Sequence, residues 1–180
     1  MIHQLFNHNF FVKFQAVNKD IFIEELESLP QTVDNCEWSS KCNVSVTNVE
    51  ADTSFKLLSP NINELSRLLK RNFSYRVHDS WLNTYESGSY QEIHDHIPAD
   101  ISCVFFLNHG KDFSEFYFRE RNNADVSHNL RILLGFYDLW TPKVRAGDII
   151  FFPSNLLHGV SQHKSKTQRK TFSSNIHLTQ

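Results

Sequence analysis

His94 and His96, one residue apart, are followed far downstream by His158 and then by Arg169. On a β-strand, residues i and i+2 project from one face roughly 7 Å apart. The first pair can therefore converge on one metal ion while Asp95, between them, points away. A third ligand must come from a distant strand, and His158 can supply it. Three imidazoles hold a divalent first-row metal and leave positions open on it, which is where chemistry takes place.

Arg169 narrows that chemistry. It lies eleven residues after His158, enough for a turn and a return on the neighbouring antiparallel strand, so its guanidinium is expected in the interior beside the metal. A buried arginine needs an anionic partner, and no carboxylate follows Asp148 in the chain. A dicarboxylic acid would meet both demands, chelating the metal through a keto-acid end and forking onto Arg169 through the other. Thr171, two residues on and on the same face, can donate a hydroxyl to the distal carboxylate. The competing reading places Arg169 in an exposed basic stretch with Lys164, Lys166 and Lys170. The other histidines, His3, His8, His78, His109, His128, His163 and His177, carry no metal-type spacing and are expected as surface or hydrogen-bonded groups.

The chain that must position these residues has 180 residues and a net charge of −2, with a pI near 6.5. That length suits one domain with a substantial core. The charge argues against general nucleic-acid binding, which needs a basic face to neutralise phosphates. No apolar run approaches the roughly 20 residues of a membrane helix, and no secretory leader is evident. Cys36, Cys42 and Cys103 are an odd number without metal spacing. Reduced thiols in the cytoplasm are expected, with a Cys36–Cys42 pair as the alternative.

Along residues 1–76 the pattern gives an N-terminal strand with alternating Phe10, Val12 and Phe14, then two supporting helices. Asn18 or Asp20 can cap the first, whose apolar face is Ile21, Phe22, Leu26 and Leu29 and which Pro30 ends. Asn61 or Asn63 can open the second, with Ile62, Leu65, Leu68 and Leu69 at helical spacing. Over residues 77–180 short strands dominate: Ile101–Leu107, Phe113–Phe118, Leu130–Trp140, Ile149–Phe152 and Thr171–His177. Turn signals separate them, including Ser87-Gly88 and Ala146-Gly147-Asp148. The expected architecture is mainly β with flanking helices, a double-stranded β-helix of the jelly-roll or cupin kind, as a single domain. Most of the sixteen phenylalanines belong to its core.

Four blocks carry a family resemblance: Tyr85-Glu-Ser-Gly-Ser-Tyr-Gln-Glu-Ile-His94-Asp-His96, Ile101-Ser-Cys-Val-Phe-Phe-Leu-Asn108, Ala146-Gly-Asp-Ile-Ile-Phe-Phe-Pro-Ser-Asn-Leu-Leu-His158 and Arg169-Lys-Thr-Phe-Ser-Ser-Asn175. In this order they resemble the Fe(II)/2-oxoglutarate-dependent oxygenases, above all the small group found in marine phages and bacteria, and more distantly prolyl hydroxylases. The resemblance implies Fe(II) on His94, His96 and His158, and 2-oxoglutarate on Arg169 with Thr171 nearby. It also implies Tyr85 near the cosubstrate and O₂ as the oxidant. The implied reaction hydroxylates a C–H bond of an unidentified small molecule or protein side chain and releases succinate and CO₂, in the cytoplasm, or that of the host for a phage protein. Phe106 and Phe116 are expected to wall the pocket.

The wider superfamily uses two histidines and a carboxylate, whereas position 96 is histidine, so Asp95 turned in by a bulge, or Asp100, stands as an alternative third ligand. Asp100 also supports a second reading. The spacing of His94, His96, Asp100 and His158 is similar to the cupin motifs, which would make a metal-binding dioxygenase, isomerase or binding module without 2-oxoglutarate. Oligomeric state and substrate are open at this level.

Overall fold

A computed structural model describes residues 9–29, 34–35, 42–121, 127–135 and 138–179. Two antiparallel sheets face each other. The larger has seven strands in the order β1 (Val12–Gln15), β9 (Asp148–Pro153), β6 (Ile101–Phe106), β11 (Arg169–Thr179), β4 (Ser74–Tyr85), β3 (Ser45–Asn48) and β2 (Asp34–Asn35). The smaller runs β5 (Gln91–His94), β10 (Leu157–Val160), β7 (Phe116–Arg119) and β8 (Leu139–Trp140). Helices α1 (Lys19–Glu27) and α2 (Ala51–Leu69) supply apolar side chains to one core cluster with the large sheet, and α3 (His128–Leu134) lies between β7 and β8 in the chain. This is the jelly-roll architecture that the strand pattern implies. No helix among the described residues is long and apolar enough to cross a membrane.

Side-chain alternation divides the interior into two cores. Outward residues Leu82, Cys103, Phe105, Ile149, Phe151, Phe172 and Ile176 pack against Phe22 and Leu26 of α1 and Leu57, Leu58, Ile62 and Leu65 of α2. Inward residues Tyr85, Val104, Phe106, Ile150 and Phe152 meet Phe116 and Val160 of the small sheet. With both faces covered, β9 reads Asp-Ile-Ile-Phe-Phe-Pro, buried at every position but the last. The four residues between Asp148 and Pro153 are all apolar, as fits a stretch covered on both sides.

Two glycines turn the chain where only glycine does so without strain. Gly88 and Gly147 have φ of +94° and +85°. A Cβ on Gly147 would also lie 3.1 Å from Gln15 and 3.2 Å from Lys19. The Gly147 turn feeds β9, and the Gly88 turn feeds β5.

Several expected elements differ. The stretch Leu130–Trp140 forms α3 followed by a two-residue strand. Ser127 accepts a hydrogen bond from Leu130 N at its start, and Gly135 adopts the left-handed conformation at its end. Helix α2 begins ten residues before Asn61 and runs through Pro60. Its buried face, Leu57, Leu58, Ile62 and Leu65, is continuous across the proline, so packing outweighs the lost backbone bond. Asn61 bonds Asn18 Oδ1 and Leu57 O instead of opening a helix. Strand β7 begins at Phe116 instead of Phe113. Cys42 is disulfide-bonded, which corrects the expectation of three reduced thiols, while Cys103 is a buried free thiol. Cys36, Pro30, His3 and His8 lie outside the described residues.

Candidate functional site

His94 and His158 are direct cross-strand partners on β5 and β10, so both rings project from the inner face of the small sheet. Their centroids are 4.4 Å apart. His96 lies two residues beyond the end of β5, off the regular strand on which it was expected. Its backbone N–H donates to Ser154 O at 2.9 Å, and its ring sits 5.0 Å from each of the other two. One ring nitrogen from each histidine falls within 4.8 Å of the other two, a group able to hold a metal ion. The Nδ1 of His94 lies 2.7 Å from Glu92 O, and that of His158 lies 2.8 Å from Leu156 O. A carbonyl only accepts, so each Nδ1 carries the proton and each Nε2 presents a lone pair.

Electrostatics keep the rings in that form. Burial depresses the pKa of all three. For His96 the fall, deepened by His94, reaches about 4, and His158 lies well below the ordinary value through burial and the other two rings. Burial lowers His94 too, against the opposing pull of Glu92 O and Asp95. Three neutral imidazoles facing one point are a ligand set for a cation.

Arg169 enters from the other side of the sandwich. Strand β11 belongs to the large sheet, between β4 and β6, so the expected return beside β10 is replaced by a crossing to the facing sheet. His163 pins the crossing loop. Its backbone exchanges hydrogen bonds with Gly88 N and Ser89 O, its Nδ1 accepts from Ser114 N, and its Nε2 donates to Thr167 O. Arg169 then pairs in register with Tyr85 and is 3% exposed. It is not part of a solvated basic stretch. Its guanidinium carbon lies 4.5 Å above the Tyr85 ring and 5.6 Å from the Phe106 ring centroid. Among the described residues its Nη1 is one of few buried polar atoms with no partner. Burial pulls its pKa down, with Tyr85 opposing, and burial pushes the Tyr85 hydroxyl up, with Arg169 and Thr171 opposing. A cation so placed lacks an anion.

Between the histidines and Arg169 lies a cavity that opens to solvent. Thr171 and Tyr85 line it at the arginine end, and Phe116 lines it beside His158. Phe106 stands under Arg169.

The 2OG-Fe(II) oxygenase family model, described as "Putative 2OG-Fe(II) oxygenase", matches residues 79–175, more than half of the chain. The protein belongs to that family. No curated protein matches it in sequence. Solved structures share its fold at low identity. A 2OG-Fe(II) family oxidoreductase from Burkholderia pseudomallei is 13% identical with a TM-score of 0.68, covering 93% of this chain and 84% of its own. HygX from Streptomyces hygroscopicus, solved with nickel, 2-oxoglutarate and hygromycin B, is 11% identical with a TM-score of 0.69 (96% and 84% covered). A Pseudomonas putida prolyl-4-hydroxylase is 12% identical with a TM-score of 0.63 (96% and 94% covered). The cofactors of this oxygenase family are Fe(II) and 2-oxoglutarate, and the three imidazoles suit iron.

Two candidate carboxylates of the oxygenase stand away from the imidazoles. Asp100, weighed as a fourth ligand or as a substitute for His96, is half-exposed, accepts from Leu178 N at 2.9 Å and faces His177. That removes the basis of the cupin-type reading. Asp95 is ion-paired with Arg121. Sequence reasoning missed Asn83, Gln91, Trp81, Ser173 and Asn175, which line the same cavity. Alternation along β11 from Arg169 marks Ser173 and Asn175. For Gln91, whose Oε1 accepts from Tyr85 Oη at 2.7 Å, the sequence holds no such signal.

Proposed function

We propose that the protein is an Fe(II)- and 2-oxoglutarate-dependent oxygenase that hydroxylates a C–H bond of a small molecule or a protein side chain. His94, His96 and His158 would hold the iron. Arg169, with Thr171 and Tyr85, would clasp the distal carboxylate of 2-oxoglutarate. The observation that carries this reading is the buried, unpartnered Nη1 of Arg169 across the cavity from three neutral imidazoles. A dicarboxylate long enough to reach both ends answers both. When bound, the iron supplies activation of O₂, with one oxygen atom passing into succinate as 2-oxoglutarate loses CO₂ and the other passing to the substrate.

The chain's own groups do the rest. The Arg169 guanidinium and the Thr171 hydroxyl fix the acid by charge and hydrogen bonding. The Tyr85 ring lies against the guanidinium in a cation–π contact and helps hold it. Phe116 and Phe152, 5.5 and 4.9 Å from the His158 ring, exclude water on one side of the metal end. The test is Arg169→Ala. Iron affinity should be unchanged while 2-oxoglutarate binds about 100-fold more weakly, the scale expected for loss of a buried charge-assisted pair. Equal affinity for 2-oxoglutarate in the variant and the parent, by calorimetry with Mn(II) in place of iron, would overturn the clasp.

A further inference from the structure

The ladder that carries two of the three imidazoles is thin. β5 and β10 share only two registered pairs, His94 with His158 and Gln91 with Val160, with an irregularity between them. His96 lies beyond that ladder. The residues around it are nevertheless tied to the turn that leads into β10, from two sides. On the inner side His96 N–H donates to Ser154 O. On the outer side Arg121 reaches over from the end of β7, and its Nη2 donates both to the Asp95 carboxylate and to the Asn155 carbonyl, the latter at 3.1 Å. Asp95 separates His94 from His96, and Asn155 is three residues before His158. The other Asp95 oxygen accepts from Ile97 N at 3.4 Å.

We infer that Arg121 is a positioning residue for the metal end of the cavity: one nitrogen, through its two hydrogens, brackets the His94–His96 segment against the turn preceding His158. This rests on the proposed metal role of the three histidines. An exposed ion pair by itself contributes little. This one joins two segments that backbone pairing leaves loosely joined, and one of its acceptors is main chain, so its loss lets His96 move relative to His158. Asp95 is then the bracket's anchor on the outer face of the site.

The test uses Co(II) alone, titrated into the full chain, its Arg121→Ala, Arg121→Lys and Asp95→Asn variants, the Arg121→Ala/Asp95→Asn double variant and His158→Ala. Affinity and the visible Co(II) bands are read together, with thermal melts in chelator run alongside. Arg121→Ala and Asp95→Asn should each weaken Co(II) by roughly three- to tenfold, below the usual range for outer-shell groups because the pair is partly solvated. Each should shift the Co(II) bands, and the double variant should be no weaker than the worse single. Arg121→Lys should not restore binding, because the lysine nitrogen sits on a shorter, more flexible stem and does not reach the Asp95 carboxylate and the Asn155 carbonyl together as Nη2 does. Unchanged affinity and bands, additive losses, full rescue by lysine or tighter binding in Arg121→Ala would each overturn the bracket. If the parent chain binds no Co(II), or His158→Ala binds it equally well, the metal reading itself fails.

Discussion

β11 presents two faces to two surroundings. Phe172 and Ile176 look outward into the apolar cluster built with α1 and α2. Arg169, Thr171, Ser173 and Asn175 look inward and are equally buried, yet their polar groups are only partly matched: Asn83 Nδ2 donates to Ser173 Oγ and Ser102 Oγ donates to Asn175 Oδ1, while Arg169 Nη1 has no partner. Burial is therefore common to both faces and does not distinguish them. What distinguishes them is whether each buried group finds its complement within the chain. The outward face is complete as folded, and the inward face is completed by something that enters.

The sharpest way to break this contrast is to cut one face and watch the other. Phe172→Ala should cost roughly 3–5 kcal/mol of stability in denaturant titration, while the folded fraction keeps its metal affinity within about twofold. A large loss of metal affinity in the folded protein would mean that the faces are mechanically coupled. His158→Ala should do the reverse, weakening Fe(II) or Co(II) by more than about 100-fold, beyond the effect of outer-shell changes, with little loss of stability in the metal-free protein. If that variant unfolds, the histidines are part of the core in the same sense as the phenylalanines.

A smaller effect separates the faces by pH. For a histidine whose folded pKa lies below its unfolded value, the unfolded chain takes up the proton first, so stability present above the ordinary 6.5 is lost as pH falls toward the folded value. For His96 that window runs from 6.5 down to about 4. Denaturation midpoints of the metal-free protein should therefore drop between pH 7.5 and 5, and the drop should shrink in His96→Ala. The same drop in parent and variant would place the pH-sensitive groups elsewhere.

The sequence makes one of these faces easier to read than the other. Strands covered on both sides, such as Ile149–Phe152, announce themselves as apolar runs, and period-two alternation from Arg169 marks what faces inward. The three histidines were legible from their types and spacing. Partner strands were not: eleven residues after His158 fit a return in the same sheet as well as the observed crossing to the facing sheet, and the crossing is fixed by a buried His163 whose bonds are all long-range or backbone. The stretch Leu130–Trp140 reads as a strand from its Leu, Ile, Phe, Tyr and Trp content, yet its first part belongs to helix α3, which is set by Ser127 and Gly135 at its ends. Asn61 looks like a helix cap and is instead a buried bridge from α2 to the residues before α1. Asp95 points away, as alternation implies, but its partner Arg121 is 26 residues distant and has no local signature.

Strand β1 is four residues long, yet among the described residues it is the whole cover of one edge of β9, pairing Val12 through Gln15 with Phe151 through Asp148. Lys13 and Gln15 both reach the Asp148 carboxylate there. Displacing those four residues would open a row of unpaired amides and carbonyls beside Ile149, Ile150, Phe151 and Phe152, a template for intermolecular strand pairing. A short edge strand therefore guards the most aggregation-prone segment of this sheet, and changes to it would show first as lost solubility, before any loss of chemistry.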